Sequence, residues 1–595
     1  MSRSIARVSH FAAPEHETES DLTRSALFAY TRHSLEGKKS EGYATVNKDL
    51  EAEVDYVVIG GGSAGCTLAA RLSEDPLVSV LLIEAGAKRG NLLDYWKIEM
   101  PAAFDHVWRN PKFNWMFEGE PEPTMHNRRI FQPRGKILGG SSAINGVCFI
   151  RGHALDFERW VREGAAGWSW REVLPYFKRA ETWEGGESTY RGGSGPVHVR
   201  KGRYPTELYD IFIQAGAQAG YPLTDDINGE FQEGFGAFQM NVHNGVRAST
   251  AEAYIRPNAG RQNLSVVDHA MAEKLIIEGN RVAGVQFSRL GANGMFARAR
   301  KEVILSAGAI GSPHLLMLSG IGPADHLAEM GINCCVNLPG VGQNLQDHPL
   351  VYMKFKIDKP VSMSRYMSKG LMLYTGARWM TTHTGPGATN NVETCGLMRT
   401  DPSVPHPDIE LQYLPIIMDH DLGVSPDVHG FTYCIGPTRV EGTGWVKLRS
   451  SNPTDPPRIL SNMLSTDYDL GQMRHAVDIA RNIASQPAHK GLGVSEVEPG
   501  PNVKMREEID DYLRGNTSGD FHLTCTCKMG IGRMAVVDSR LHVHGIEGLR
   551  VADASVMPSI VSANTNATTI MIAEKAADMI LGRSAPPPAD VGLPA

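Results

Sequence analysis

Val54-Asp55-Tyr56-Val57-Val58-Ile59 is a β-branched run with an aromatic residue, the pattern of a buried strand. A glycine cluster follows, and then Cys66-Thr67-Leu68-Ala69-Ala70-Arg71-Leu72, which has helical composition. A second apolar run from Val78 to Ile83 ends in Glu84-Ala85-Gly86. Strand, tight turn, helix and strand predict one βαβ unit. Further strand-like runs lie at Leu264-Ser265-Val266-Val267, Val303-Ile304-Leu305 and Arg550-Val551-Ala552-Asp553. The last leads into a predicted helix from Thr568 to Leu581, so a dinucleotide domain assembled from both ends of the chain is expected. Met473, Val477, Ala480 and Ile483 recur at helical spacing and predict a core-facing stripe. Residues 1–52 lack periodicity and read as a flexible extension. The tail 583–595, rich in proline, cannot continue a helix and is expected to be loose.

Composition narrows the class. With 595 residues, 42% hydrophobic and 21% charged, the chain is globular and long enough for several domains. A net charge of −7 gives no basic surplus for nucleic acid. Eight cysteines are too sparse for a disulfide scaffold, and several sit in apolar runs such as Val147-Cys148-Phe149, which favours a reducing compartment. The uncharged stretches Val303 to Ala324 and Ala554 to Ala573 are interrupted by Gly, Pro, Ser, Asn or Thr and make poor membrane spans. No signal-peptide core is present, so a cytoplasmic protein is expected.

Gly60-Gly61-Gly62-Ser63-Ala64-Gly65 satisfies G-x-G-x-x-G. With 62 glycines in 595 residues, that spacing arises by chance roughly 0.7 times per chain, so context supplies the specificity. Here it follows a strand, opens a helix, and precedes Glu84 at the end of the next strand. Gly60 permits the turn, Gly62 lets backbone approach a pyrophosphate, and Gly65 lets helix pack on strand. The helix N-terminus offers free amides to phosphate. Glu84 is suited to ribose hydroxyls and disfavours NADP; the fingerprint alone does not separate NAD from FAD.

Five longer segments do. Arg134-Gly135-Lys136-Ile137-Leu138-Gly139-Gly140-Ser141-Ser142-Ala143-Ile144-Asn145 resembles the first signature of the glucose–methanol–choline (GMC) flavin oxidoreductases, and Gly308 to Gly322 the second. Leu338 to His348, His522 to Gly530, and Val551 to Lys575 resemble the remaining family segments in order. The closest resemblance is to the branch of bacterial choline and FAD-dependent alcohol dehydrogenases. The resemblance implies an α/β (α+β) two-domain GMC fold: a Rossmann-like FAD-binding domain and a substrate domain built on an antiparallel sheet with helices. Residues 53–350 would hold most of the FAD domain and 351–520 mainly the substrate domain. Residues 521–582 would return to the FAD domain and the active site. FAD is then the cofactor. It would be held by Gly60, Gly62, Ser63, Ala64, Gly65, Glu84 and Ala85; by Gly135, Leu138, Gly139, Gly140, Ser141, Asn145 and Gly146; and by Ala272, Gly308, Asp553, Ala554, Asn566 and Thr568. Some relatives attach FAD through a His just before the Asn of the first signature; Ile144 stands there, so non-covalent FAD is expected.

The implied reaction is oxidation of a primary alcohol to an aldehyde, with hydride passing to flavin N5 and His522 as base. An alcohol and an imidazole differ by ~9 pKa units, so a free alkoxide would cost about 12–13 kcal/mol. Proton removal must therefore accompany hydride loss, or the site must stabilise the alkoxide. Asn564 matches the family's second active-site position and donates but cannot be a base. An Asn capping the terminal helix fits Asn566 better. Relatives usually have Pro after the catalytic His; Leu523 follows here. His522, Cys525 and Cys527 superficially suggest metal, but no fourth ligand has zinc-like spacing, and no metal is expected. The alternatives are a choline dehydrogenase specifically, or a non-redox member such as a lyase or a photodecarboxylase. The latter branch has Cys where Thr438 precedes Arg439. Trp115, Trp379, Tyr413 and Glu393 are available by type for a quaternary-ammonium cage. The electron acceptor, oxygen or a quinone or cytochrome, and the oligomeric state are left open.

Overall fold

The computed structural model describes residues 51–89, 94–202, 204–419, 423–424 and 428–593. The first strand, Glu51–Ile59, runs parallel between Val80–Ile83 and Ala292–Leu305, with Tyr56 opposite Val80 and Val57 opposite Val303. Leu264–Val267 adds to the far side of Val80–Ile83, and Leu549–Val551 pairs parallel with Ala292–Leu305. Val57, Val58, Leu82, Ile304 and Leu305 are fully buried, as a parallel sheet covered on both faces requires. Ala270–Glu278 and Arg281–Arg289 complete an antiparallel meander at the other edge. The helix Ser63–Leu72 packs on the terminal helix Thr565–Leu581.

A second, antiparallel sheet runs in the order Ser495–Glu498, Pro349–Lys356, Gly430–Pro437, Ile409–Leu414, Thr394–Met398, Gly234–Ala237. Its core gathers Phe212, Phe235, Met353, Tyr413, Phe431 and Tyr433 under the helix Asp467–Ala484, whose Met473, Val477, Ala480 and Ile483 are buried on the face the spacing predicted. A mixed parallel sheet plus an antiparallel one is the expected α/β two-domain fold class. Ser518–Gly519 pairs with Pro349–Lys356 and carries the chain from the second sheet straight into Asp520, Phe521 and His522.

Three local expectations change. The terminal helix begins at Thr565 rather than Thr568, because first-turn amides lack intrahelical partners and tolerate polar residues. Asn564, not Asn566, occupies its N-cap position, without a side-chain cap bond. Asn566 lies inside the first turn, where its Oδ1 accepts from Ser63 Oγ at 2.7 Å. Among the described residues the tail has no helix or strand after Leu581, yet Ala589 exchanges two backbone-carbonyl bonds with Arg171, at 2.7 and 2.9 Å. The expected N-terminal extension lies, up to residue 50, outside the described residues; Glu51 and Ala52 are already in strand.

Candidate active site

A cavity of about 620 Å³ runs between the two sheets, a size suited to a cofactor and substrate together. One end is backbone. Gly60 has φ +97°, and a Cβ there would lie 2.6 Å from Ser306 O; a Cβ on Gly65 would lie 1.8 Å from Gly60 O. Gly140, at φ +52°, approaches Gly62 so closely that a Cβ would come 2.6 Å from its Cα. Gly62, Ser63 and Ala64 line the cavity where the helix begins. Glu84 accepts from the amides of Gly61 at 2.8 Å and Gly86 at 2.7 Å, while burial pushes its carboxyl up to about 7.

Of the residues expected to hold cofactor, Gly60, Gly62, Ser63, Ala64, Glu84, Ala85, Gly135, Gly140, Ser141, Asn145, Gly146, Ala272, Gly308, Asp553, Ala554 and Asn566 all line this one cavity. Gly65, Leu138, Gly139 and Thr568 stand behind its wall: Gly139 N–H donates to Gly61 O at 2.7 Å, and Leu138 lies where a Gly61 Cβ would sit. Asp553 ties the wall together, its Oδ2 accepting from Gly308 N at 2.9 Å and Ser312 Oγ at 2.6 Å. Asn566 Nδ2 is buried without a partner, an amide donor left for a bound group. Ile144 is buried on the wall. A glycine cradle that a Cβ would fill, a helix N-terminus and an orphaned amide fit a dinucleotide such as FAD.

The other end is built of side chains. His522 Nε2 lies 3.0 Å from Asn564 Nδ2, and His522 Nδ1 lies 3.0 Å from His348 Nδ1 and 3.4 Å from Asp520 Oδ2. Asn564 Oδ1 has no partner. Burial holds the His522 imidazole well below the usual histidine range, and His348 and Arg134 press it the same way. His522 is therefore neutral near pH 7, the form with a lone pair to accept a proton.

Its backbone is fixed from below. Asp347 Oδ1 accepts from His522 N at 2.6 Å, Arg134 Nη1 donates to Phe521 O at 2.7 Å, and Phe521 sits at φ +63°, a left-handed conformation for a bulky residue. Leu523, in place of the usual Pro, packs against Ala309, Ile310 and Leu345 and anchors the loop apolarly. Cys525 and Cys527 are buried, and burial pushes the Cys525 thiol up to about 12. The described residues contain no group of three side chains suited to hold a metal.

Around this end the wall is mostly apolar: Cys148, Leu350, Val392, Leu414, Met418 and Cys434, with Phe104, Trp108, Tyr352 and Phe521. Of the cage candidates only Trp115 lines the cavity; Tyr413 is in the second sheet's core, Trp379 packs with Met100 and Ala103, and Glu393 accepts from Tyr204 N. Sequence reasoning missed Asp520, and quoted Arg134, Asp347 and His348 within family segments without a role. Asp520 accepts from Gln412 Nε2 at 3.3 Å, and burial, then Glu410 and Asp347, raise its carboxyl well above the usual range. Gln412 is 108 residues away in sequence, so no local pattern announced the pair.

Comparison with known proteins agrees with this architecture. Family models described as GMC oxidoreductase match residues 54–350 and 441–573. The chain is 46% identical to the mitochondrial choline dehydrogenase of Mus musculus over 92% of each chain. It is 44% identical to the oxygen-dependent choline dehydrogenase of Brucella ovis, over 89% of this chain and 96% of that one. The solved structure of pyridoxine 4-oxidase from Mesorbium loti superposes with a TM-score of 0.81 at 30% identity, covering 89% of this chain and 100% of that one. Formate oxidase from Aspergillus oryzae, a structure described for its FAD modification, gives 0.83 at 28%, covering 89% and 98%.

Proposed function

The chain belongs to the GMC oxidoreductases and carries out FAD-dependent oxidation of an alcohol, and from that premise we propose that His522 is the base and that a primary alcohol with an apolar body is the substrate. The observation that carries the reading is the pair His522 Nε2 and Asn564 Nδ2, 3.0 Å apart on the cavity wall. Bound FAD supplies the hydride acceptor. His522 Nε2 takes the hydroxyl proton as the carbon–hydrogen bond breaks, and Asn564 Nδ2 donates to the oxygen, steadying the charge that develops there. Asp347 and Arg134 hold the loop so that the imidazole does not swing away from that oxygen. The wall of Leu350, Val392, Leu414 and Met418 excludes water from the alcohol's tail. FAD is held without a covalent bond from the first signature, since Ile144 has no nucleophilic atom.

Choline is the second reading, favoured by Asp520: a cavity carboxyl whose partners are Gln412 and His522, and whose ionised form a bound cation would favour, suits a methyl-clad cation on an otherwise apolar wall. The relatives named as choline dehydrogenases support it. Electrons then leave to oxygen, a quinone or a cytochrome. The cytoplasm, with contact to a membrane face if the acceptor is a quinone, fits eight unpaired cysteines and the lack, among the described residues, of a helix long and apolar enough to cross a membrane.

The test is anaerobic bleaching of the bound flavin by 1-octanol and by choline, in wild type and in Asp520→Asn. Bleaching by octanol in both proteins supports the first reading. Bleaching by choline that needs Asp520 supports the second. Bleaching by neither contradicts both.

A further inference from the structure

The helix Lys369–Thr382 buries only Trp379. That indole is fully covered, packs with Met100, Ala103 and Ala388, and donates to Gly245 O at 2.7 Å. Apart from half-buried Thr375 and Gly376, most of the helix stands away from the body. Leu371, Met372, Leu373, Tyr374 and Met380 are all exposed, Leu373 at 76% and Met380 at 56%. Leu373 and Met380 lie seven residues apart and so share an outer face, with Gly376 between them and Lys369 at its start. A helix that leaves this much apolar surface in water is an interaction surface rather than a core element.

Charge selects the occupant. Residues 359–392 contain Lys359, Arg365, Lys369 and Arg378 but no Asp or Glu, in a chain whose net charge is −7. Apolar side chains interleaved with cations are the composition of helices that lie in the interface of an anionic bilayer. A second copy fits worse, because a two-fold contact through this face would bring two cationic segments together with no acidic residue of 359–392 between them. The segment also adjoins the alcohol end of the cavity. Met363 and Tyr366 pack onto the cluster of Cys148, Leu350, Val392 and Leu414, all of which line it, and Phe104, next to Ala103 under Trp379, lines it too.

We propose that the helix Lys369–Thr382 docks the protein on an anionic lipid surface, with Leu373 and Met380 entering the interface and Lys369 and Arg378 meeting the headgroups. This surface does not depend on which alcohol is oxidised. The experiment is co-sedimentation of the FAD-loaded full chain with vesicles of phosphatidylcholine, alone or mixed with phosphatidylglycerol, alongside sedimentation velocity without lipid. The expected result is binding to the mixed vesicles only. It should weaken at least fivefold in Leu373→Glu and in ~0.5 M salt, where charges are screened beyond a few ångström. Leu373→Glu should keep its flavin content and its alcohol oxidation with a soluble acceptor, because Leu373 touches neither. Absence of binding to either vesicle overturns the proposal, as does binding that Leu373→Glu leaves unchanged. A dimer in sedimentation velocity that Leu373→Glu dissociates assigns the face to a second copy and overturns it as well.

Discussion

At the glycine end of the cavity, backbone makes most of the wall, and most of its positions fall between Gly60 and Ala85 and between Gly135 and Gly146. At the alcohol end, side chains make it, drawn from residues as far apart as Arg134, Leu350, Gln412, His522 and Asn564. The first end works by what is missing: no Cβ fits at Gly60, Gly65 or Gly140. The second works by what is held in place, a neutral imidazole and an amide aimed at one point. Damage to the two ends should therefore look different, loss of cofactor at one and loss of rate at the other.

The largest separation is expected for His522→Ala. Flavin content should stay near that of wild type while the rate of flavin reduction by alcohol falls about 10²–10⁴-fold, the usual worth of a general base, as read by anaerobic stopped flow. Gly140→Ala should invert the pattern. A Cβ 2.6 Å from Gly62 Cα at φ +52° costs roughly 1–3 kcal/mol, so FAD affinity should fall about 5–150-fold, measured by flavin absorbance after dialysis against dilute FAD. Retention of full flavin by Gly140→Ala would contradict the backbone account of that end.

Asn564→Ala removes one donor to the reacting oxygen and should slow flavin reduction roughly tenfold, with flavin still bound. The smallest effect concerns pH. Protonated His522 is inactive, and its proton affinity is held below that of an ordinary histidine. The reduction rate should therefore be level from pH 8 down through 6.5 and fall only below that. A half-maximal point at or above 6.5 would show an ordinary, solvated imidazole instead.

The same contrast explains how much was readable in advance. Gly60, Gly62 and Gly65 act through their spacing within one turn, so a local pattern carries them. His522 and Asn564 were found because each sits in a family segment. Arg134 acts through the carbonyl of Phe521, and Asp520 through Gln412, 108 residues away; such contacts exist only once the sheets are packed. The terminal helix was legible as an element, but its start was misread by three residues, because polar Asn564-Thr565-Asn566 looks like loop and is first turn. Three of the four cage candidates, Trp379, Tyr413 and Glu393, lie off the cavity for a related reason. Aromatic type alone does not distinguish Tyr413, buried in the sheet core, from Trp108 and Tyr352 on the cavity wall.

The most direct test is the visible spectrum of the purified protein under nitrogen before and after a primary alcohol is added. The account predicts oxidised-flavin bands that disappear on addition, with one aldehyde formed per flavin reduced. Bands that persist with every alcohol offered, or a protein that binds no flavin after incubation with FAD, would contradict it.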